Sequence, residues 1–367
     1  MSNVRRGFAI VGAGDVAHRR YLPALRRLAD RVEIAAIVDP RDGAADAAVE
    51  SIADWSPGAA SCRDLADLDG LSGLDAAVDL TPAPLHGATN ERLLDTGLHV
   101  YSEKPIASDL PQADRLIDLA RRTDRLLLCA PGTAATSRFR WLVDFAADHE
   151  LGRPSLVVGQ HADPGPAAWR EYTGDPTPFY GPGIGPVFDE GVYRLHEMTV
   201  LMGPVRRVQA IGAISKGELR VRGGPLAGRT IPVTTPDHVL INLEFDRGGL
   251  GQLLASFGTA NTMAPWLEVH FAQATLSFGG RPWDPAPPVS LYLDDEGPEA
   301  TEGWQHGLEV PAGLPVVEAG ITHFVDCLTD GRQPVLTAEH ARHVLDIILK
   351  AYASIEDGQS HATETTF

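Results

Sequence analysis

Gly7-Phe8-Ala9-Ile10-Val11-Gly12-Ala13-Gly14-Asp15-Val16-Ala17 decides how the rest of the chain is read. The apolar run at its start has the continuous hydrophobicity of a strand buried on both faces. The pattern G-x-G-x-x-A follows at once, and a helical stretch then extends to about Ala29. Gly12 permits a tight turn, Gly14 lets the backbone approach a pyrophosphate, and Ala17 is small enough for close helix–strand packing. The phosphates would rest along Gly12 to Val16, at a helix N-terminus where N–H groups and the dipole favour anions. A second strand, Glu33 to Val38, ends at Asp39. An acidic residue roughly twenty residues past the glycines can accept both ribose hydroxyls of an adenosine, which predicts NAD rather than NADP. Arg41, two residues further on, is the residue able to reach a 2′-phosphate instead.

The β/α alternation continues outward from that turn. Helix is expected over Ala44 to Ile52, and strand over Asp75 to Leu80, leading into Thr81-Pro82-Ala83-Pro84-Leu85-His86. Helix follows over Thr89 to Thr96, stopped by Gly97, then a strand through Leu98 to Tyr101, helix over Leu110 to Thr123, and strand over Arg125 to Ala130. Units of this kind build a parallel, doubly wound α/β sheet of the Rossmann type. The division expected is a dinucleotide-binding domain over 1–130, a second domain over 131–357, to which the family resemblance described below gives substrate binding and oligomerisation, and a frayed tail over 358–367.

Glu103-Lys104-Pro105 closes the strand at Tyr101. Pro105 fixes its own φ and drives Lys104 out of the helical region, so a stiff turn carries one ammonium group at a strand's carboxyl end. Ligands of open α/β sheets bind outside those ends, and a neutral lysine held there can take a hydroxyl proton. The plain alternative is a surface lysine paired with Glu103. His86 is placed at the end of a sheet strand with a cofactor- or substrate-positioning role.

Composition excludes several function classes. With 49 acidic against 31 basic residues the net charge is −18, which disfavours nucleic acid and anionic membranes as partners. No apolar run has the length of a membrane span and no signal-peptide core precedes the first strand, so a cytoplasmic setting is expected. Cys62, Cys129 and Cys327 are scattered and odd in number, fitting neither a disulfide framework nor a metal site.

The second half opens with a strand, Leu156 to His161, and a Pro/Gly-rich loop over 163–186 holding Trp169, Arg170, Phe179 and Tyr180; a second such loop spans 279–287. Trp169, Arg170 and Tyr180 are candidates for substrate contact, the aromatics by stacking on a sugar face or by lining an apolar pocket and Arg170 through a carboxylate or phosphate. The plain alternative for the aromatics is a hydrophobic plug for a lid. A helix is expected from Asp189 to Met202, stopped by Gly203-Pro204. Asp189, Tyr193 and His196 then fall at i, i+4 and i+7 on one face and form a polar wall. The plain alternatives are an N-cap for Asp189 and ordinary packing for the other two. Later runs, such as Val239 to Phe245 with its alternation, read as strands of an open, mostly antiparallel sheet. Helices are expected over Ile321 to Leu328 and Ala338 to Ala353.

The glycine turn, Thr81-Pro82 with His86, Gly97-Leu98-His99-Val100 running into Glu103-Lys104-Pro105, and Asp189-Glu190-Gly191-Val192-Tyr193 together resemble the Gfo/Idh/MocA family of NAD(P)-dependent oxidoreductases. The resemblance implies a Rossmann domain followed by an α/β domain with an open, largely antiparallel sheet through which subunits form homodimers or homotetramers. It implies a Lys104–Pro105 bond that is often cis, Thr81, Pro82, Glu103 and Lys104 near the cofactor, and hydride transfer at a carbinol or keto carbon of a sugar, inositol or related polyol. Lys104 takes part in proton transfer there. The family often has His at the position of Tyr193 and Asp at that of His196. The acid/base is therefore open among Lys104, Tyr193, the positional match, and His196, whose imidazole suits neutral pH. Two other readings stand beside this one: a redox-neutral lyase, hydrolase or epimerase that oxidises its sugar transiently, and a non-catalytic NAD-binding sensor.

Overall fold

A computed structural model describes residues 5–170, 172–280, 288–294 and 303–367. The proline-rich stretch expected as a loop at 279–287 lies, from 281 on, outside them. The chain divides into two units, one of residues Met1–Ala135 and Pro315–Leu345, the other of Thr136–Leu314 and Asp346–Phe367.

In the first unit six strands form a parallel sheet: β1 (Arg6–Val11), β2 (Val32–Val38), β3 (Ala60–Cys62), β4 (Ala76–Asp79), β5 (His99–Ser102) and β6 (Leu127–Cys129). Their order is β3-β2-β1-β4-β5-β6, so the chain reverses direction of travel across the sheet after β3, as in a doubly wound nucleotide fold. β1 is buried along nearly its whole length because helices cover both faces. The helix after the glycine turn begins as a single π turn, Ala17–Tyr21, and continues as the short α1 (Leu22–Arg26), so it ends earlier than its apolar periodicity suggested. α2 (Ala44–Ile52), α3 (His86–Asp95) and α4 (Leu110–Thr123) follow. His86 is thus the first residue of a helix, seven residues beyond β4, and not the end of a strand.

Two elements that the sequence division gave to the second domain group with this unit: α7 (Val316–Asp330) and the first residues of α8 (Ala338–Asp357), numbered after two helices of the second unit. The reason is apolar. Phe324 of α7 meets Phe8 edge-on with ring centroids 5.8 Å apart and lies 5.7 Å from Tyr101. Ile321, Phe324 and Val325 are fully buried in one cluster with Phe8, Ile10 and Tyr21. Removing a ring such as Phe324 from this place would cost about 3–5 kcal/mol.

The second unit is built on a nine-stranded sheet. Its strands are β7 (Leu156–Ala162), β8 (Val205–Ala213), β11 (His238–Phe245), β12 (Leu250–Ser256), β13 (Leu267–His270), β14 (Ala274–Phe278), β15 (Val289–Leu293), β16 (Gln305–His306) and β17 (His361–Ala362), in the order β16-β15-β14-β13-β7-β12-β11-β8-β17. Every pairing is antiparallel except β7 with β12. A separate two-stranded sheet pairs β9 (Glu218–Arg220) with β10 (Thr230–Pro232). Alternation sorts the large sheet's faces: Val239, Ile241, Leu243 and Phe245 are buried, while Leu240 remains 46% exposed beside Ile211, 70% exposed. α6 (Val192–Met202) covers the buried face, and it comes close because Gly159 and Gly251 leave room for Met198 and Arg194. α5 (Ser137–Asp148) starts this unit with Thr136 as its N-cap, accepting from Phe139 N. The tail expected to fray is tied down. β17 joins β8, and the N–H groups of Glu364 and Thr365 donate to Asp346 at 2.6 and 3.0 Å.

Candidate active site

The first unit gathers every residue assigned to the cofactor. Gly12 adopts φ +98°, and a Cβ there would fall 2.7 Å from the Leu80 carbonyl oxygen, so the turn after β1 accepts no side chain. Gly14 differs: nothing lies within 4 Å of where its Cβ would be. The fold itself does not require glycine at that point, and the open cradle fits a pyrophosphate lying against the backbone. Asp15 of this turn accepts a 2.7 Å hydrogen bond from Arg19 one helical turn on.

Asp39 is engaged from four directions. Its Oδ2 accepts from Ala13 N at 2.8 Å, and Arg41 donates through its backbone N, Nε and Nη2 at 3.0, 2.9 and 2.8 Å. Burial pushes this carboxyl up, but the Arg41 and backbone hydrogen bonds outweigh it and hold it below the usual range. Arg41 Nη2 also reaches the Ala13 carbonyl at 3.1 Å, while its side chain stays 63% exposed. The group presented to solvent beside the glycine turn is therefore a guanidinium.

Glu103-Lys104-Pro105 is a cis turn, and a second cis bond, Ala130–Pro131, had not been anticipated. Glu103 serves the turn's backbone: its Oε2 accepts from Lys104 N at 2.9 Å, and its Oε1 accepts from the Tyr21 hydroxyl at 2.7 Å. Tyr21 is fully buried in the helix that follows the glycine turn, so the two motifs are cross-linked. Lys104 itself is half-buried.

His86 joins the same array. Its Nδ1 lies 2.6 Å from the Pro105 carbonyl oxygen and its Nε2 lies 2.8 Å from that of Thr81. Carbonyls only accept, so both contacts are hydrogen bonds when the ring carries a proton on each nitrogen. The ring thereby ties the Thr81-Pro82 loop to the lysine turn. Asp79, at the end of β4 and fully buried, receives Thr81 N and Oγ1 on its Oδ1 at 3.0 and 2.6 Å. Burial raises the Asp79 carboxyl, the neighbouring His86 opposing it. Among the described residues its Oδ2 has no hydrogen-bond partner. Neither Asp79 nor Tyr21 was picked out from sequence. The one available signal for Asp79 was a carboxylate ending an otherwise apolar strand.

Apart from Lys104, the residues assigned to the substrate lie in the second unit. The expected helix from Asp189 is interrupted at its start. Val187–Gly191 is a π turn, α6 begins only at Val192, and no side chain caps it, so Asp189 is not an N-cap. The wider turn removes Asp189 from the 3.6-residue register assumed for it, whereas Tyr193 and His196 stay three apart on α6. Asp189 is 9% exposed and His196 4%, with Tyr193 half-buried. Single π turns of this kind recur at functional sites.

Around that turn lies a buried charged cluster that sequence reading missed. His161 on β7 sits with Nε2 3.6 Å from Asp163 and Nδ1 3.5 Å from Glu190. Burial lowers the imidazole pKa, but Glu190 and Asp163 overcome it and the net shift is upward. Arg194 and Glu197 form a fully buried 2.7 Å pair, with the guanidinium 4.3 Å above the Trp266 ring. Of the loop candidates, Trp169 donates from Nε1 to Asp163 at 3.2 Å and Arg170 is exposed. Tyr180 is 1% exposed, accepts from Ala167 N through its hydroxyl, and packs on Phe257 at 5.7 Å. It is a core residue of the loop and lines no open wall.

A parallel doubly wound sheet with this glycine turn, joined in sequence to an open, mostly antiparallel sheet, defines an NAD(P)-binding oxidoreductase. Residues 6–130 match the model for the oxidoreductase family with NAD-binding Rossmann fold, and residues 139–277 match the Gfo/Idh/MocA C-terminal domain. The chain belongs to the Gfo/Idh/MocA family. It is similar to dTDP-3,4-didehydro-2,6-dideoxy-alpha-D-glucose 3-reductase of Streptomyces antibioticus, 29% identical over 74% of this chain and 82% of that protein. The enzyme of the same name from Actinomadura kijaniata is 28% identical over 64% of this chain and 67% of its own. Among solved structures, the WlbA dehydrogenase of Bordetella pertussis in complex with NADH and UDP-GlcNAcA superposes with TM-score 0.72 at 19% identity, over 98% of each chain. No helix among the described residues is long and apolar enough to cross a membrane.

Proposed function

We propose that the chain reduces a keto carbon, or oxidises the matching carbinol, on a nucleotide-activated sugar. The observation that carries this reading is the Glu103-Lys104-Pro105 turn, whose backbone is held by Glu103 and His86 so that one lysine is fixed at the sheet's carboxyl edge. The names of the curated relatives support a nucleotide sugar over a free polyol. A nicotinamide cofactor, when bound at the glycine turn, would supply or take the hydride. Lys104 donates a hydrogen bond to the reacting oxygen. Tyr193 delivers the proton to that oxygen in reduction and takes it in oxidation, and His196 and Asp189 position the sugar. A positioned acid of this type contributes about 10²–10⁴ in rate.

For the cofactor, Arg41 occupies the Asp39 oxygens that a ribose diol would otherwise use and itself faces solvent, which favours binding of NADP as well as NAD. The outward sheet face with Ile211, Leu240 and Leu250 is the proposed contact between copies of this chain in a cytoplasmic homo-oligomer. Light scattering of Leu240→Asp tests it, and an unchanged mass sinks it.

The decisive experiment follows absorbance of the reduced cofactor with dTDP- and UDP-linked keto sugars, inositols and free sugars. Lys104→Ala should abolish turnover with cofactor affinity nearly intact. Tyr193→Phe should lose about 10²-fold or more in kcat, and His196→Asn should raise KM more than it lowers kcat. Full turnover by Lys104→Ala would refute the mechanism.

A further inference from the structure

One segment of this acidic chain is locally basic. Between β8 and β11, residues 216–229 hold Lys216, Arg220, Arg222 and Arg229 against a single carboxylate, Glu218, in a protein of net charge −18. Most arginines elsewhere are neutralised: Arg27 pairs with Glu318, Arg121 with Glu339, Arg342 with Asp114. Among the described residues, the side chains of Lys216, Arg220 and Arg222 have no ion pair or hydrogen bond.

The local fold explains why they point outward. Residues 218–222 alternate, with Val221 buried alongside Ile231 and Val233 in a small core with Ala167, Tyr180 and Phe257. Glu218, Arg220 and Arg222 are left exposed. A cavity of about 220 Å³ opens here, lined by Lys216, Arg220 and Arg222, by the carboxylate of Glu218, and by Pro164 and Ala167. The arm is fixed to the loop after β7. Arg222 N donates to the Ala167 carbonyl at 2.7 Å, and Gly223 lies so close to the Arg170 backbone that a Cβ would fall 2.5 Å from its Cα. Arg170, itself exposed, adds a further cation on the same loop.

Guanidiniums that have no partner among the described residues are suited to bidentate capture of phosphate oxygens. A dianionic substrate would also be repelled by the chain's overall charge unless a local positive patch offset it. We propose that the β9–β10 arm, through Lys216, Arg220 and Arg222, binds the diphosphate of the nucleotide-activated substrate; this rests on the reading of the substrate given above.

The test is calorimetric titration of the full chain with dTDP, UDP and inorganic pyrophosphate, at low and at high salt, with NADH and NADP⁺ as separate titrants. Wild type should bind dTDP or UDP with an affinity that falls as salt rises. A variant combining K216Q, R220Q and R222Q should bind them about tenfold or more weakly, with NADH and NADP⁺ affinities unchanged. E218Q should bind them more tightly, which keeps the test valid if the triple variant fails to fold. Equal dTDP and UDP affinity in the triple variant, no binding to wild type, or loss confined to NADP⁺ would each overturn the proposal. Binding of dTDP without reduction of any sugar would instead refute the substrate reading and leave the arm standing.

Discussion

The Tyr21 hydroxyl donates a 2.7 Å hydrogen bond to Glu103, 82 residues away in the chain, and thereby ties the helix behind the glycine turn to the turn that carries Lys104. Cofactor loop and lysine are two ends of one hydrogen-bonded array. Tyr21→Phe keeps the ring and its packing and removes only this bond. The loss should cost about 1 kcal/mol of stability. With Glu103 half-released, Lys104 is less well aimed, and kcat should fall by about tenfold while cofactor affinity changes little. Unaltered kcat would mean that the array is structural only; thermal unfolding and steady-state kinetics of the one variant decide it.

Arg41 is the residue on which cofactor choice should turn. Its guanidinium covers Asp39 and faces solvent. Arg41→Ala removes a phosphate ligand and re-exposes a carboxylate that repels one. NADP should bind about tenfold or more weakly, with NAD unchanged or improved. Equal losses for both cofactors in a fluorescence titration would count against this assignment.

Gly14 separates fold from function. A Cβ there meets nothing within 4 Å, unlike at Gly12. Gly14→Ala should melt within a degree or two of wild type, given that exposed substitutions shift stability by about 0.5 kcal/mol or less. It should nevertheless lose cofactor affinity by about tenfold or more, because the methyl takes the space left for the pyrophosphate. Retained NAD binding would remove the cradle from the site.

His161 predicts a pH signature. Glu190, Asp163 and Arg194 are among the groups that face it. Burial lowers its pKa, the two carboxylates raise it, and the net value lies above the unfolded 6.5. Its contribution to stability is therefore complete below pH 6.5 and is lost as pH rises through the raised folded value. His340 acts in the opposite window. Burial and then His343 press it down from 6.5 to about 3, so its neutral form stabilises the fold above pH 6.5 and that contribution is lost as pH falls toward 3. Melting temperatures of His161→Gln and wild type should converge as pH climbs above 6.5. A constant difference from pH 6 to 9 would contradict the raised imidazole.

Much of this was legible in the sequence because it is local. Gly12, Gly14, Asp39 and Lys104 are set by turns at strand ends, and a turn is specified by a few adjacent residues. The site in the second unit was read less well. A π turn at Val187–Gly191 has no periodicity of its own, so Asp189 was placed in an α-helical register that it does not occupy. His161 meets Glu190 through tertiary packing across 29 positions of sequence (190 − 161), and no spacing rule signals that. Tyr180 shows the reverse error: an aromatic in a Pro/Gly-rich loop looked like a pocket wall, yet the loop needed a core of its own. The tail looked frayed by composition, but two backbone N–H groups find Asp346.

Phe324 has a consequence for how the chain is made. The ring that packs on both Phe8 and Tyr101 belongs to α7 and is added more than two hundred residues after Tyr101. The intervening residues 136–314 are assigned to the other unit. The nucleotide sheet therefore stays without part of its core until α7 has been synthesised. A nascent or recombinant fragment ending near residue 314 would expose Phe8 and Tyr101 to solvent and to other chains. Such a fragment is a poor stand-in for an independent cofactor-binding module, whereas joining residues 5–135 to 315–345 through a short linker restores the missing ring.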